Sequence, residues 1–137
     1  WYQPGVVDAL VSYCQDLKFT LVAADEPHDQ VTAVPFKLVT TNPDLVMLRL
    51  HGRNKKGWAN QGQSWRKTRT LYKYSDQELA MFAQQIQQLT PQPREVCIIF
   101  NNNSGKDAAP NALALQKMMG VHFAGLAPRS PEQLDLF

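Results

Sequence analysis

The sequence has few of the features that define the more specialised classes of protein. Its 137 residues include two cysteines, Cys14 and Cys97, which make no disulfide framework and fit no metal-binding spacing. No stretch approaches the roughly 18 uninterrupted apolar residues of a membrane helix. The N-terminus also lacks the basic start and apolar run of a signal peptide. We therefore expect a cytoplasmic protein with no membrane contact and no metal site, and the sequence indicates no particular cofactor.

Acidic residues are missing from one long segment. The whole chain has 14 Lys+Arg and 12 Asp+Glu, a net charge of +2. Between Asp44 and Asp76 there is no acidic residue, and this basic segment holds 8 of the 14 basic residues. Four aromatic residues lie among them: Trp58, Trp65, Tyr72 and Tyr74. Positive charge interleaved with aromatic rings is typical of proteins that bind phosphate groups or nucleic acid, although many charge runs are simply solvated surface.

Helices and short apolar strands are predicted along the chain. Apolar spacings of three and four predict three helices: 4–17, 76–89 and 108–119. Continuous apolar runs predict three buried strands: Phe19–Ala24, Leu45–Leu50 and Val96–Phe100. Ser75 and Glu78 form a capping box at the start of the second helix, and 52–70 reads as a long loop. Strands of this kind, separated by helices or long loops, indicate an α/β fold with a parallel sheet covered on both faces.

Polar residues follow each predicted strand. They form three clusters: Asp25, Glu26 and His28; His51, Arg53 and Asn54; Asn101, Asn102 and Asn103. Because the carboxyl ends of parallel strands meet at one face, we expect Asp25, His51, Arg53 and Asn101 to converge in one pocket. The alternative is that polar residues follow strands merely because loops are polar.

The residue types suggest roles within this rim. Carboxylates and imidazole exchange protons, so the candidate catalytic residues are Asp25, Glu26 and His51. Guanidinium and amide groups bind anions, and the candidate ligand-binding residues are Arg53, Asn54, Arg66, Asn101, Asn102 and Asn103. Asp25, His28 and His51 are the groups that would bind a metal, but they follow no metal-site spacing.

Four motifs carry a family resemblance: LRLHGRNKKGW, LYKYSDQEL, CIIFNNNSGKDAAPNALAL and GLAPRSPEQLDLF. Over essentially its whole length, the chain resembles the C-terminal half of the YecE-like proteins, domain-of-unknown-function family seventy-two. The resemblance implies a TIM-type (β/α) barrel of roughly twice this length. Residues 1–126 are then the C-terminal half of such a barrel, with parallel strands and flanking helices, and 127–137 are a tail. A half barrel exposes strand edges, so we expect either self-association or a missing N-terminal half.

Three functions remain open at this point. The leading interpretation is binding of a phosphorylated or nucleic-acid ligand at the strand-end rim. The second is a non-catalytic DNA replication or repair protein whose tail docks on the bacterial sliding clamp. That tail resembles clamp-binding peptides in five consecutive residues: Gln133, Leu134, Asp135, Leu136 and Phe137. The third is a barrel enzyme that acts on a sugar or similar metabolite, with the basic segment as a lid.

Overall fold

The computed structural model contains three parallel strands in one sheet, and it describes residues 5–28, 35–59, 62 and 64–123. The strands are β1 (Val22–Asp25), β2 (Leu45–Leu50) and β3 (Glu95–Phe100), in the order β1-β2-β3. The register pairs Asp25 with Leu50 and Leu50 with Phe100, so all three strands end at the same level. The predicted α/β fold with parallel strands is confirmed.

Five helices accompany these strands in the described residues: α1 (Val7–Asp16), α2 (Lys55–Ala59), α3 (Trp65–Arg69), α4 (Asp76–Gln87) and α5 (Ala108–Met118). The predicted capping box is present at the start of α4, where the Ser75 hydroxyl accepts from the Glu78 peptide N–H and the Glu78 carboxylate accepts from the Ser75 peptide N–H. None of the described helices has the length and apolarity needed to cross a bilayer.

The core lies on one face of the sheet. Alternate residues of β2, namely Val46, Leu48 and Leu50, are at most 2% exposed and pack with Phe82 and Ile86 of α4. The intervening positions face the other way, and there Val22 and Ile99 are 36% and 38% exposed. The prediction that both faces of the sheet are covered is therefore wrong for the part of the chain that is described.

Two predicted element boundaries also differ from the structure. The first strand begins at Val22 rather than Phe19, because the Thr41 hydroxyl accepts from Leu21 N–H and donates to the Phe19 carbonyl. A side chain thus satisfies backbone groups that the prediction assigned to a strand ladder. The predicted loop 52–70 contains α2 and α3, which are too short to produce an apolar period.

Candidate functional site

Asp25, the last residue of β1, is fully buried on the helix-covered face of the sheet. Arg53 Nε donates to both of its carboxylate oxygens at 2.9 and 3.0 Å, and Arg53 Nη2 donates to Oδ1 at 2.7 Å. The Tyr74 hydroxyl donates to Oδ2 at 2.7 Å. Because these bonds occupy both oxygens, Asp25 orients Arg53 and Tyr74, and its own carboxylate has no contact with solvent.

Gly52, two residues after the end of β2, is required by the hydrogen-bond network around Asp25. Gly52 has φ +90°, and a Cβ at this position would lie 2.4 Å from the Cβ of Tyr72. Its peptide N–H donates to the Tyr74 hydroxyl at 2.8 Å. Glycine is the residue that adopts this backbone conformation and allows this close approach at little energetic cost. Gly52 therefore fixes the direction in which Arg53 returns toward Asp25.

Glu78 of α4 completes the ion network. Arg53 Nη1 lies 3.2 Å from Glu78 Oε1, and the Tyr72 hydroxyl donates to the same oxygen at 2.7 Å. Burial opposes ionisation of Glu78, but hydrogen bonds from Ser75 and Tyr72 and the charge of Arg53 lower its pKa overall. Burial, followed by the hydrogen bond to Glu78, raises the pKa of Tyr72 to about 12. The network thus holds Arg53 between two carboxylates and ties the end of β1 to the start of α4.

His51 faces the opposite side of the sheet from Asp25. Its peptide N–H donates to the Asp25 carbonyl at 2.9 Å, which continues the pairing of β1 and β2 by one residue. Leu50 is paired with Asp25 and faces the core. Because successive side chains of a strand point to opposite faces of the sheet, the His51 side chain points away from the core. Burial is the largest cause that lowers the pKa of the His51 imidazole, and the charges of Arg49 and Arg69 lower it further. The negative charge of Glu26 raises this pKa but does not cancel the decrease. Burial and the neighbouring arginines thus favour the neutral imidazole.

The arginines around His51 lack carboxylate partners. Arg49 Nε donates to Asn101 Oδ1 at 3.2 Å, which joins the ends of β2 and β3. Neither Arg49 nor Arg69 forms an ion pair with a carboxylate in the described residues. We call Arg49, His51, Arg69 and Asn101 the rim cluster. Two cations without counter-ions, a neutral imidazole and an amide form an arrangement that suits an anion.

The rim cluster is continued by a stack of aromatic and guanidinium groups on α2 and α3. The Trp58 ring meets the His51 ring edge-on with centroids 6.2 Å apart. Arg69 Cζ lies 4.3 Å from the Trp65 centroid and 5.5 Å from the Trp58 centroid. The exposed Arg66 lies 5.8 Å from the Trp65 centroid. These distances are typical of cation–π contacts, and the two contacts of Arg69 hold its guanidinium group beside His51.

Two of the predicted ligand-binding asparagines are occupied by contacts within the protein. The Asn54 amide donates to the Thr68 and Leu71 carbonyls at 2.8 and 3.1 Å, and its oxygen accepts from Gly57 N–H at 3.1 Å. Asn102 is fully buried and donates to the Tyr72 carbonyl and the Asn111 side chain, both at 2.9 Å. Both residues hold loops in place in the structure. Their side chains have no donor left for a ligand.

The structure divides the predicted pocket into two groups. Asp25 and Arg53 lie together on the helix-covered face, whereas His51 and Asn101 share the other face with Arg49. The four side chains are therefore not brought together as predicted. Glu26 lies near enough to influence the pKa of His51. Asn103 is exposed and accepts from the Thr70 hydroxyl at 3.4 Å.

Sequence reasoning missed Arg49 and Tyr74 as site residues. A signal for Arg49 was present, since it is the one charged residue in the apolar run LVMLRL. Tyr74 gave no comparable signal, because its role depends on contact with Asp25, which is 49 residues away in sequence. Long-range partners of this kind do not follow from local patterns.

A cavity of about 410 Å³ lies away from both groups of residues. Its lining includes Phe36, Leu38, Gln85 and Leu89, from the segment before β2 and the end of α4. None of the predicted site residues lines it. In the described ranges, no three His, Cys, Asp or Glu side chains come together as a metal centre requires. The predicted clamp-binding residues, Gln133–Phe137, lie outside the described residues.

Comparisons with known sequences place the chain among proteins of about twice its length. Residues 1–135 match the family DUF72, described as "Protein of unknown function DUF72". The chain is also 37% identical over 139 residues to the UPF0759 protein YunF of Bacillus subtilis (strain 168). That match covers 100% of this chain but 48% of YunF, so the chain spans about half of the relative's length.

Solved structures of DUF72 proteins have the same architecture. A crystal structure of a family member from Enterococcus faecalis V583 is 42% identical with a TM-score of 0.85, and the match covers 96% of this chain and 48% of that one. A family member from Thermotoga maritima MSB8 is 29% identical with a TM-score of 0.71, covering 82% and 41%. Coverage of about half of each neighbour agrees with the predicted half barrel.

Proposed function

The chain belongs to the DUF72 family, and we propose that its strand-end rim binds the phosphate group of a phosphorylated small molecule or of nucleic acid. The observation that carries the proposal is the rim cluster, in which Arg49 and Arg69 lie beside His51 without carboxylate partners in the described residues. An anion supplies the negative charge that these two guanidinium groups lack. Hydrogen bonds to charged groups contribute about 1.5–3 kcal/mol each.

Each member of the rim cluster has a distinct role in this proposal. Arg49 and Arg69 attract and neutralise the phosphate, and their planar guanidinium groups suit its oxygens. The neutral imidazole of His51 donates one hydrogen bond, and the Asn101 amide orients the ligand. Arg53, which is held by Asp25 and Glu78, positions the HGRN loop from which His51 extends.

The basic segment supports the same proposal at longer range. The segment has no acidic residue of its own, and although Asp25 and Glu78 balance Arg53, Arg49 and Arg69 have no carboxylate partner in the described residues and create a positive field at the rim. Lys56 and Lys67 belong to α2 and α3, so the field extends beyond the rim cluster. Such a field increases the rate at which anionic ligands associate and makes their binding dependent on salt.

Calorimetric titration with inorganic phosphate tests this proposal. We expect saturable binding by the wild-type chain and binding about tenfold weaker for Arg49→Gln, because one charge-assisted hydrogen bond is lost. Arg94→Gln removes an arginine that is also exposed but remote from the rim, and should bind like the wild type. Equal phosphate affinity in all three proteins, or no binding at all, would contradict the proposal.

A second set of titrations distinguishes a phosphorylated small molecule from nucleic acid as the ligand. A phosphorylated sugar and a short single-stranded oligonucleotide are each titrated at several salt concentrations. A nucleic-acid ligand gives a steep linear fall of log affinity with log salt, whereas a single phosphate group gives a shallow one. Stronger binding of an unphosphorylated sugar than of either probe would instead favour a metabolite-acting barrel.

We also propose that the C-terminal segment docks on the bacterial sliding clamp. The support is the pentapeptide Gln133–Phe137, which follows Pro128 and Pro131 and includes two apolar anchors, Leu136 and Phe137. Purified clamp should bind the full chain and fail to bind a version that ends at Glu132. Equal affinity of the two versions would remove this second function and leave the phosphate proposal intact.

A further inference from the structure

Two buried N–H groups, one in the rim cluster and one next to it, have no hydrogen-bond acceptor in the described structure. They are the indole Nε1 of Trp58 and the guanidinium Nε of Arg69, neither of which has a partner in the described structure. Buried donors in folded proteins are nearly always paired, so two unpaired donors on neighbouring side chains require an explanation. The stack keeps them together, with Arg69 Cζ 5.5 Å from the Trp58 ring centre.

The chemistry of this pair selects the kind of group that satisfies it. Both atoms are donors only, since neither an indole nor a guanidinium nitrogen accepts a hydrogen bond. Arg69 also carries a permanent positive charge without a carboxylate partner in the described residues. An anionic oxygen satisfies the two donors and the charge together, whereas a neutral hydroxyl satisfies at most the hydrogen bonds.

The position of the pair connects it to the rim. The Trp58 ring meets the His51 ring edge-on with centroids 6.2 Å apart, and Arg69 is itself a member of the rim cluster. Both nitrogens belong to the α2–α3 pair, two five-residue helices that contact each other. The Asn54 side chain, with its bonds to Gly57, Thr68 and Leu71, attaches these helices to the end of β2.

We propose that Trp58 Nε1–H and Arg69 Nε–H bind oxygens of the ligand's phosphate and make this rim selective for an oxyanion. The inference rests on the proposed function and deepens it by naming the two donors that determine ligand class. Because both nitrogens are shielded from solvent in the structure, this binding requires a shift of α2 relative to α3 that admits the oxygens.

Proton–nitrogen NMR of the wild-type chain during titration with inorganic phosphate tests the inference. The indole resonances are assigned with Trp58→Phe and Trp65→Phe. We expect the Trp58 indole proton to move downfield saturably, while the Trp65 indole moves little. Backbone amides of Arg49, His51 and Asn101 report binding at the rim separately. Their saturable movement with a stationary Trp58 indole would overturn this inference and retain the proposed function.

No saturable movement of any resonance would overturn the proposed function and this inference together. Trp58→Phe gives an independent measurement, since it keeps an aromatic ring and removes the indole N–H together with part of the ring area. Phosphate affinity should fall about tenfold, as expected for the loss of one hydrogen bond to an anion. Its thermal stability should fall no more than that of Trp65→Phe, because both variants lose the same ring area and the Trp58 N–H has no partner to lose in the described structure.

The matched control is Trp65→Phe, which alters the same stack but removes a nitrogen that is not a buried unpaired donor. Its phosphate affinity should fall by less than that of Trp58→Phe, since it keeps both unpaired donors and an aromatic ring against Arg69. Unchanged affinity of Trp58→Phe would overturn the inference, as would equal weakening by both variants. If Trp58→Phe does not fold, the Trp58 indole of the wild type is assigned by elimination with Trp1→Phe and Trp65→Phe, and its failure to move with phosphate would overturn the inference.

Discussion

Among single residues, the polar groups at the strand ends divide into those used by the protein and those directed at a potential ligand. Asp25, Asn54 and Asn102 are surrounded by internal partners, and Asp25 and Asn102 are fully buried. Arg49 and His51 lie on the other face, where the rim cluster has an excess of positive charge. Residue type alone did not separate the two groups, since each contains an arginine and an asparagine: Arg53 and Asn102 have internal partners, whereas Arg49 and Asn101 belong to the rim cluster.

Replacement of Asp25 by Asn should destabilise the chain strongly. The variant keeps the shape of the side chain but removes the charge that pairs with Arg53, whose side chain is 30% exposed. We expect the free energy of unfolding to fall by about 3 kcal/mol, the lower end of the range for breaking a buried ion pair. Urea denaturation measures this change. The exposed Asp44→Asn is the control and should change stability by less than about 0.5 kcal/mol.

The His51 imidazole should make stability depend on pH below neutrality. Its pKa in the folded chain lies below the ordinary value of 6.5, mainly because of burial. Well above pH 6.5 both folded and unfolded states are neutral at this residue. As pH falls below 6.5 the unfolded state binds the proton first, so stability decreases until the folded pKa is passed.

Comparison of the wild type with His51→Gln isolates this contribution. The difference in free energy of unfolding between the two proteins should be constant well above pH 6.5 and change as pH falls through 6.5, with the wild type losing stability faster. Thermal denaturation at a series of pH values measures it. Parallel pH profiles for the two proteins would contradict the lowered pKa.

Individual helices and strands show how far the sequence predicts this fold. The strand Leu45–Leu50 and the capped start of α4 occur as predicted, because a continuous apolar run and a capping box are local signals. The error at the end of β1 changed the predicted site. The prediction ended this strand at Ala24 and left Asp25 in the loop that follows. In the structure Asp25 is the last residue of β1 and pairs with Leu50, so its side chain faces the core.

The short helices α2 and α3 were not predictable from periodicity. Each has five residues, and contacts distant in sequence stabilise them, such as the Asn54 amide bonded to the Thr68 and Leu71 carbonyls. The Thr70 hydroxyl also lies 2.6 Å from the Ser104 hydroxyl, across 34 residues of sequence. Local patterns therefore located β2 and the start of α4 but not the helices that carry Trp58 and Arg69.

Replacement of Asn54 by Ala should loosen α2 and α3 and leave the sheet intact. The variant removes three hydrogen bonds, which contribute about 1 kcal/mol each. Hydrogen exchange should become faster in α2 and α3 and remain unchanged in β2 and α4. The exposed Asn103→Ala is the control. Uniformly faster exchange through the whole chain would show that Asn54 stabilises the fold rather than this segment.

For the whole molecule, the sheet of the described residues has features of an incomplete barrel. β1 and β3 are both edge strands in it, and one face bears Val22 and Ile99, which are each more than a third exposed. The chain spans 48% of the length of YunF and of the Enterococcus faecalis neighbour. Unpaired strand edges and apolar sheet faces are rarely exposed in stable monomers.

The 137-residue chain should therefore self-associate when it is purified alone. We expect the average mass measured by light scattering to increase with protein concentration and to exceed 15.5 kDa. Ile99→Lys, which places a charge on the exposed sheet face, should reduce the association. A monodisperse monomer at high concentration would contradict this expectation.

The central claim is that the rim cluster binds phosphate, and the titration of His51 tests it most directly. Proton NMR follows the His51 imidazole of the wild type and of Arg49→Gln across the acidic and neutral pH range, with phosphate or with chloride at equal ionic strength. A bound anion favours the charged imidazolium, so phosphate should raise the pKa of His51 in the wild type and raise it less in Arg49→Gln, which is expected to bind phosphate more weakly. Identical His51 titration curves in phosphate and chloride, or an equal rise in both proteins, would contradict the claim.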